Sequence, residues 1–158
     1  KNEIIVTLDG DRQNDPADIK NLYALFEQKG GQGKAIMIAG ERAKRHDNIV
    51  RRISSRSANK FRSWLLSDNT KDTGCSLKMF RRSDFLNLPY FNHMHRFMPA
   101  LMQREGVDVF HVDVSHRPRT QGVSKYGTLD RLIVGVSDIY GVYWLIRRKH
   151  ARPKIFEE

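Results

Sequence analysis

Glu3-Ile4-Ile5-Val6-Thr7-Leu8-Asp9-Gly10-Asp11-Arg12-Gln13 is the stretch on which the reading of this chain turns. Its first six residues are β-branched and apolar enough for a buried strand, which the following glycine bounds. Asp9 and Asp11 therefore stand at a strand's C-terminal end, where open α/β sheets place ligands. Carboxylates this close repel unless a cation or a set of donors compensates them. Their hard oxygens suit magnesium or manganese, often shared with substrate phosphates. The plainer alternative is a solvated turn, because Asp and Gly are both common turn residues.

Outward from that loop, Asn14-Asp15-Pro16-Ala17-Asp18 holds an N-cap residue, a proline for the first helical position and an acid for the first turn. Ile19, Leu22, Tyr23 and Phe26 follow at helical spacing, with both aromatics expected in the core, and Gly30-Gly31 ends the pattern. Ala35-Ile36-Met37-Ile38-Ala39 then reads as a second buried strand. Alternating strand and helix predicts a largely parallel sheet.

The charge pattern adds a second line of inference. The chain has 158 residues, one domain by length, and a formal net charge of +10, which predicts attraction to polyanions: nucleic acid, an anionic membrane surface or a phosphorylated substrate. Cys75 is the only cysteine, so an intramolecular disulfide is excluded and a reducing compartment is favoured. From Arg42 to Arg62 a charged loop and a basic amphipathic helix carry Arg42, Arg45 and Arg56 among others, with Phe61 and Trp64 expected to face the core. Such charges are either a solvated helix face or a phosphate site, since guanidinium forks bind phosphate oxygens bidentately.

Asp72-Thr73-Gly74-Cys75-Ser76 combines turn residues with an acid before a short strand at Leu77-Lys78-Met79-Phe80. Asp72 is either a catalytic or positioning carboxylate or a residue capping its own turn. A helix over about 92 to 104 contains His93 and His95, whose i, i+2 spacing puts them on different faces and argues against a two-histidine metal site. Met94, Phe97, Met98, Leu101 and Met102 in the same helix read as core. Val107 to Val114 alternates like a strand and leads into a loop, Ser115 to Gly127, rich in Gly, Ser, Arg and Lys. Its amides, hydroxyls and charges suit wrapping a diphosphate, while the alternative is a mobile basic loop. From Thr128 a strongly apolar helix follows, interrupted by Asp130, Arg131 and Asp138, so its apolar runs fall short of the roughly 20 residues needed to span a bilayer. Tyr143 and Trp144 before Arg147-Arg148-Lys149 suit a membrane-interfacial helix, or one packed on the domain with a solvated tail.

Taken in order, Leu-Asp-Gly-Asp-Arg-Gln-Asn-Asp-Pro (8 to 16), Ala-Gly-Glu-Arg (39 to 42), Asp-Thr-Gly-Cys-Ser-Leu-Lys (72 to 78) and Arg-Pro-Arg-Thr-Gln-Gly-Val-Ser-Lys-Tyr-Gly (117 to 127) resemble family-two glycosyltransferases of the dolichol-phosphate mannose synthase group. The resemblance implies an α/β, Rossmann-like glycosyltransferase-A fold that here lacks its N-terminal nucleotide-binding strand-helix units. Residues 1 to 127 would be the C-terminal part of the catalytic domain, and 128 to 158 an amphipathic, membrane-interfacial helix with a basic tail. It implies that Asp9, Asp11 and Gln13 hold Mg2+ or Mn2+, and that Arg42, Arg45 and Arg56 hold an acceptor phosphate. Arg119, Ser124 and Lys125 would lie on a loop closing over the donor, and Asp11 and Asp72 would be the catalytic carboxylates.

The implied partners are a GDP- or UDP-linked sugar and a polyprenyl phosphate, with inverting transfer on the cytoplasmic face of a membrane. A strand so near the first residue predicts that these residues are the middle of a domain, whose earlier units are lost or supplied by another chain. An exposed sheet edge would then favour homo-oligomers. The competing class is a non-catalytic basic module for nucleic acid or anionic membrane, which leaves the ordered acids and the Arg-Gly-Ser-Lys loop without a role.

Overall fold

The computed structural model describes residues 3–30, 33–42, 59–115 and 128–148, the last segment by backbone alone over 128–133. Four strands, β1 (Ile4–Thr7), β2 (Ile36–Arg42), β3 (Lys78–Arg81) and β4 (Asp108–Val114), form one sheet in the order β1-β3-β2-β4. The helices are α1 (Ile19–Gln28), α2 (59–66), α3 (Arg82–Leu86), α4 (Met98–Arg104) and α5 (Thr128–Arg147). This is a mixed α/β arrangement consistent with a glycosyltransferase-A-like fold.

The sheet corrects one expectation. β2 and β4 pair in parallel, but β3 pairs antiparallel with both β1 and β2. Three strands therefore run one way and β3 runs against them from an inner position. Apolar patterning marks a buried strand without fixing its direction, because an inner strand is covered on both faces either way. One consequence governs everything below: β3 starts at the end of the sheet where β1, β2 and β4 stop.

Strand alternation divides the core into two faces. Ile4 and Val6 of β1, Ile36 and Ile38 of β2, and Leu77 and Met79 pack with Leu22 and Phe26 of α1. On the other face Ile5, Met37, Ala39 and Phe80 meet Met98 and Met102 of α4. Asp15 caps the turn Pro16–Asp18 ahead of α1, its carboxylate accepting from the Ala17 amide at 3.1 Å, with Pro16 at the first position as expected. Phe26 is fully buried, whereas Tyr23 is 48% exposed, because the apolar stripe of α1 centres on Leu22 and Phe26.

Two further helical readings are revised. The single helix expected over 92 to 104 is broken: His93 is left-handed (φ 65°), a 3-10 turn covers Met94–Arg96, and α4 begins at Met98 with Pro99 in its first turn. The core reading of its apolar residues holds, since Met94, Phe97, Met98, Leu101 and Met102 are all buried. In α2, Phe61 and Trp64 are 58% and 73% exposed rather than core-facing. The inward positions belong to Leu66 and to Arg62, which is clamped on Asp68 through contacts of 2.6 and 2.9 Å and donates to the Thr70 carbonyl at 2.9 Å. α5 lies on the domain: Val142 is buried with Leu66, Phe97 and Leu101. No helix among the described residues is long and apolar enough to cross a membrane.

Removing one member of the buried Arg62–Asp68 pair leaves the other charge without its partner. Asp68→Ala is expected to lower stability by about 3–5 kcal/mol, read as a lower denaturation midpoint in urea; an unchanged midpoint would show that the pair supports nothing.

Candidate active site at the carboxyl ends of the strands

Because β3 opposes its neighbours, the segment leading into it meets the loop leaving β1. In register Lys78 lies opposite Thr7 on one side and Ala39 on the other. Ser76 makes the junction: its hydroxyl accepts from the Asp9 amide at 2.9 Å and from Asn14 Nδ2 at 2.6 Å, and its carbonyl accepts from the Thr7 hydroxyl at 2.7 Å. The carboxylate loop is thus fastened at both ends to the segment leading into β3. Inside the loop, the Gln13 amide donates to Asp11 Oδ1 at 3.1 Å and Arg12 takes a left-handed backbone (φ 62°), a local turn that orients the Asp11 carboxylate. Asp9 is exposed and Asp11 half-buried, so both acids stand at the sheet's ligand-bearing end.

From the opposite flank, Asp18 at the start of α1 accepts from the Ser115 amide at 2.7 Å. That bond ties the end of β4 to the first helix. The chain therefore leaves β4 beside the start of α1. Arg119, Ser124 and Lys125 in the Gly- and Lys-rich loop, and Arg45 and Arg56 in the basic segment, lie outside the described residues.

Arg42 and Asp72 are brought together. Asp72 accepts from Arg42 Nε at 2.5 Å and Nη2 at 2.6 Å, and from the Arg42 amide at 3.3 Å, with both side chains nearly buried. This bidentate pair changes what each residue can do. A carboxylate gripped by a guanidinium fork is held in a fixed orientation by charge-assisted hydrogen bonds. The fork, in turn, is already occupied by a carboxylate. Gly74 is part of the clamp, since a Cβ there would lie 2.9 Å from Arg42 Nη2. Gly40 has a similar role under the junction: a Cβ would meet the Leu77 carbonyl at 3.1 Å, too tight for backbone to yield easily.

Between these elements lies a cavity of about 300 Å³, lined by Thr7, Asp9, Ser76, Lys78, His95 and Arg96 together with neighbouring residues. Lys78 is 3% exposed, and burial holds its ammonium below the usual lysine range. Burial also lowers His95, reinforced by the charges of Arg96 and Lys78. The buried Cys75 thiol is pushed up, mainly by desolvation, which makes it an unreactive packing group. Lys78 closes the motif at 72 to 78, which gives it no role of its own. Its signal is present in the alternation Leu77-Lys78-Met79-Phe80, where a lysine takes a position that the strand otherwise gives to core.

As a metal site the loop offers two carboxylates and the glutamine that follows them. Among the described residues no third Asp, Glu, His or Cys joins them. Magnesium commonly takes one or two carboxylates and completes its shell with water and substrate phosphates, so the donor set fits a substrate-completed site and not an all-protein cage.

A strand-end acid loop beside a basic cavity is the kind of site that handles phosphorylated substrates, and the chain's homologues are polyprenyl-phosphate sugar transferases of the family-two glycosyltransferase type. It is 34% identical over 161 residues to the dodecaprenyl-phosphate galacturonate synthase of Rhizobium johnstonii, covering 99% of this chain and 45% of that protein. It is 31% identical over 130 residues to the undecaprenyl-phosphate 4-deoxy-4-formamido-L-arabinose transferase of Shewanella sediminis, covering 82% of this chain and 38% of that protein. The transferase of the same name in Pectobacterium carotovorum is 28% identical over 127 residues, 80% of this chain and 37% of that protein. The chain thus spans less than half the length of these curated relatives. No family model matches it.

Two measurements follow from the geometry. Ser76→Ala leaves the buried Asn14 amide without its acceptor and should cost about 1–3 kcal/mol of stability, together with faster amide exchange at Asp9. His95 takes its proton less readily in the folded chain than in the unfolded one, so stability present above its ordinary pKa is lost as pH falls through the lower folded value. Denaturation midpoints from about pH 8 to about pH 5 should therefore fall less steeply in His95→Gln than in the wild type.

Proposed function

We propose that the chain is catalytic-domain sequence of a glycosyltransferase that moves a sugar from a nucleoside diphosphate to a polyprenyl phosphate. The observation that carries this reading is the Asp9–Asp11 loop fastened by Ser76 to the rim of a cavity bearing Lys78 and Arg96. The similarity to a dodecaprenyl-phosphate galacturonate synthase over nearly the whole chain supports it independently. The motifs that resemble the dolichol-phosphate mannose synthase group extend it to a metal-dependent, inverting transfer. The relatives are named for dodecaprenyl and undecaprenyl phosphate, so the bacterial polyprenyl phosphates are the first acceptors to test.

Chemically, the leaving nucleoside diphosphate needs its growing charge neutralised, which a divalent cation supplies when bound to Asp9, Asp11 and Gln13. A polyprenyl phosphate is largely a dianion at neutral pH, since a phosphate's second pKa is about 6. It attacks without a strong base. Asp72 then acts through Arg42, which it holds in place, and positioning dominates the chain's own contribution. Direct attack on the anomeric carbon inverts it.

Exposed Phe61 and Trp64, with ring centroids 6.0 Å apart on a helix that also bears Lys60, favour a second, compatible reading. Aromatic and basic side chains on one surface helix suit an anionic membrane interface, where the lipid acceptor resides.

The test uses the full-length protein with Mn2+, a nucleoside-diphosphate sugar and undecaprenyl phosphate. Asp11→Asn should reduce glycolipid formation by about 10²-fold or more, and chelation of the metal should do the same. Undiminished transfer in Asp11→Asn rejects the metal-loop mechanism.

A further inference from the structure

On the α4 side of the sheet, where Ile5, Met37, Ala39 and Phe80 form core, one lysine intrudes. Lys78 is as buried as those residues, and its Nζ donates to the Cys75 carbonyl. No carboxylate lies within ion-pair distance of it among the described residues. The guanidiniums of Arg42 and Arg62 differ in this respect, because each grips an aspartate. An ammonium taken out of water with one carbonyl for company is incompletely compensated. It has three hydrogens to donate, and the side chain lines the cavity.

We propose that this cavity is an anion site in which Lys78, with Arg96 that lines the same cavity, binds a phosphate group of the transferase's substrates. The inference rests on the reading given under Proposed function and adds to it a phosphate-binding pair that the arginine-rich segment does not supply. At about 300 Å³ the cavity is at the small end of ligand pockets, enough for a phosphate and its first linked atoms rather than a whole nucleotide sugar. Asp9 lines the same space and would repel a phosphate laid directly against it. The anion therefore lies toward Lys78 and Arg96, and Asp9 is left facing a cation. Arg96 is exposed, so its flexible fork can close over an oxygen that Lys78 holds from below.

The phosphate belongs either to the acceptor lipid or to the donor diphosphate, and calorimetric binding to the full chain separates these sources. The probes are inorganic phosphate, a short-chain polyprenyl phosphate and a nucleoside diphosphate with Mg2+. Lys78→Met fills the space of the lysine stem and should weaken inorganic phosphate binding at least tenfold, with no loss of thermal stability. Weakening of the polyprenyl phosphate alone assigns the site to the acceptor; weakening of the nucleoside diphosphate alone assigns it to the donor. Arg96→Gln, at an exposed position, should show the same pattern and carries the test if Lys78→Met fails to fold. Unchanged binding of all three probes in the folded variants overturns the proposal. Inorganic phosphate binding needs no sugar transfer, so a wild type that binds through Lys78 yet transfers nothing keeps the site and rejects the transferase reading.

Discussion

The antiparallel placement of β3 between β1 and β2 is the constraint on which the rest of the molecule depends. A strand running with its neighbours would start at the far end of the sheet, and the segment 72–77 would be remote from the acid loop. Running against them, it brings Asp72, Gly74, Ser76 and Lys78 to the end where β1, β2 and β4 finish. Ser76 can then bond the Asp9 amide, and Asp72 can reach Arg42 at the last residue of β2. Residues more than sixty positions apart in the chain become one site through strand direction alone.

Charge burial follows from the same geometry. A strand start inserted between two strand ends has little access to water, so the polar groups there must satisfy one another. Arg42 with Asp72 and Arg62 with Asp68 do so as bidentate pairs, each with backbone groups recruited as well. Such pairs add little net stability compared with apolar packing, but they fix geometry, because breaking one partner away strands the other. Asp72 thereby holds the Arg42 side chain in one orientation, and a Cβ at Gly74 would crowd its Nη2 at 2.9 Å.

Much of the fold was legible in the sequence, and what was not has physical causes. The strands, the capped start of α1 and the apolar α5 follow from alternation, capping chemistry and periodicity, all of which are local. The direction of β3 is not local, and an even apolar run cannot encode it. Trp64 and Phe61 were misplaced because aromatics are buried on average, while in α2 the inward position is taken by Arg62, whose partner Asp68 lies beyond the helix end. Of the site, the acid loop was readable from its place at a strand end. The Arg42–Asp72 pair was not, since its members lie 30 positions apart and nothing local in the sequence joins them.

That last point bears on how a basic protein of this kind should be understood. Its +10 charge is suggestive only in aggregate, and the individual cations divide into those already matched by an acid and those that are not. Arg42 and Arg62 belong to the first group, each gripping an aspartate. Among the described residues Lys78 belongs to the second, at a position where an aliphatic residue would cost nothing in solvation and would complete the face formed by Met37, Ala39 and Phe80. Coulomb attraction is strongest where water is excluded, so under the proposed anion site a buried ammonium orders a phosphate more strongly than a solvated one would. Under the proposed anion site, the ordering of a phosphate is therefore to be sought in the wall of the cavity, where Lys78 and Arg96 stand.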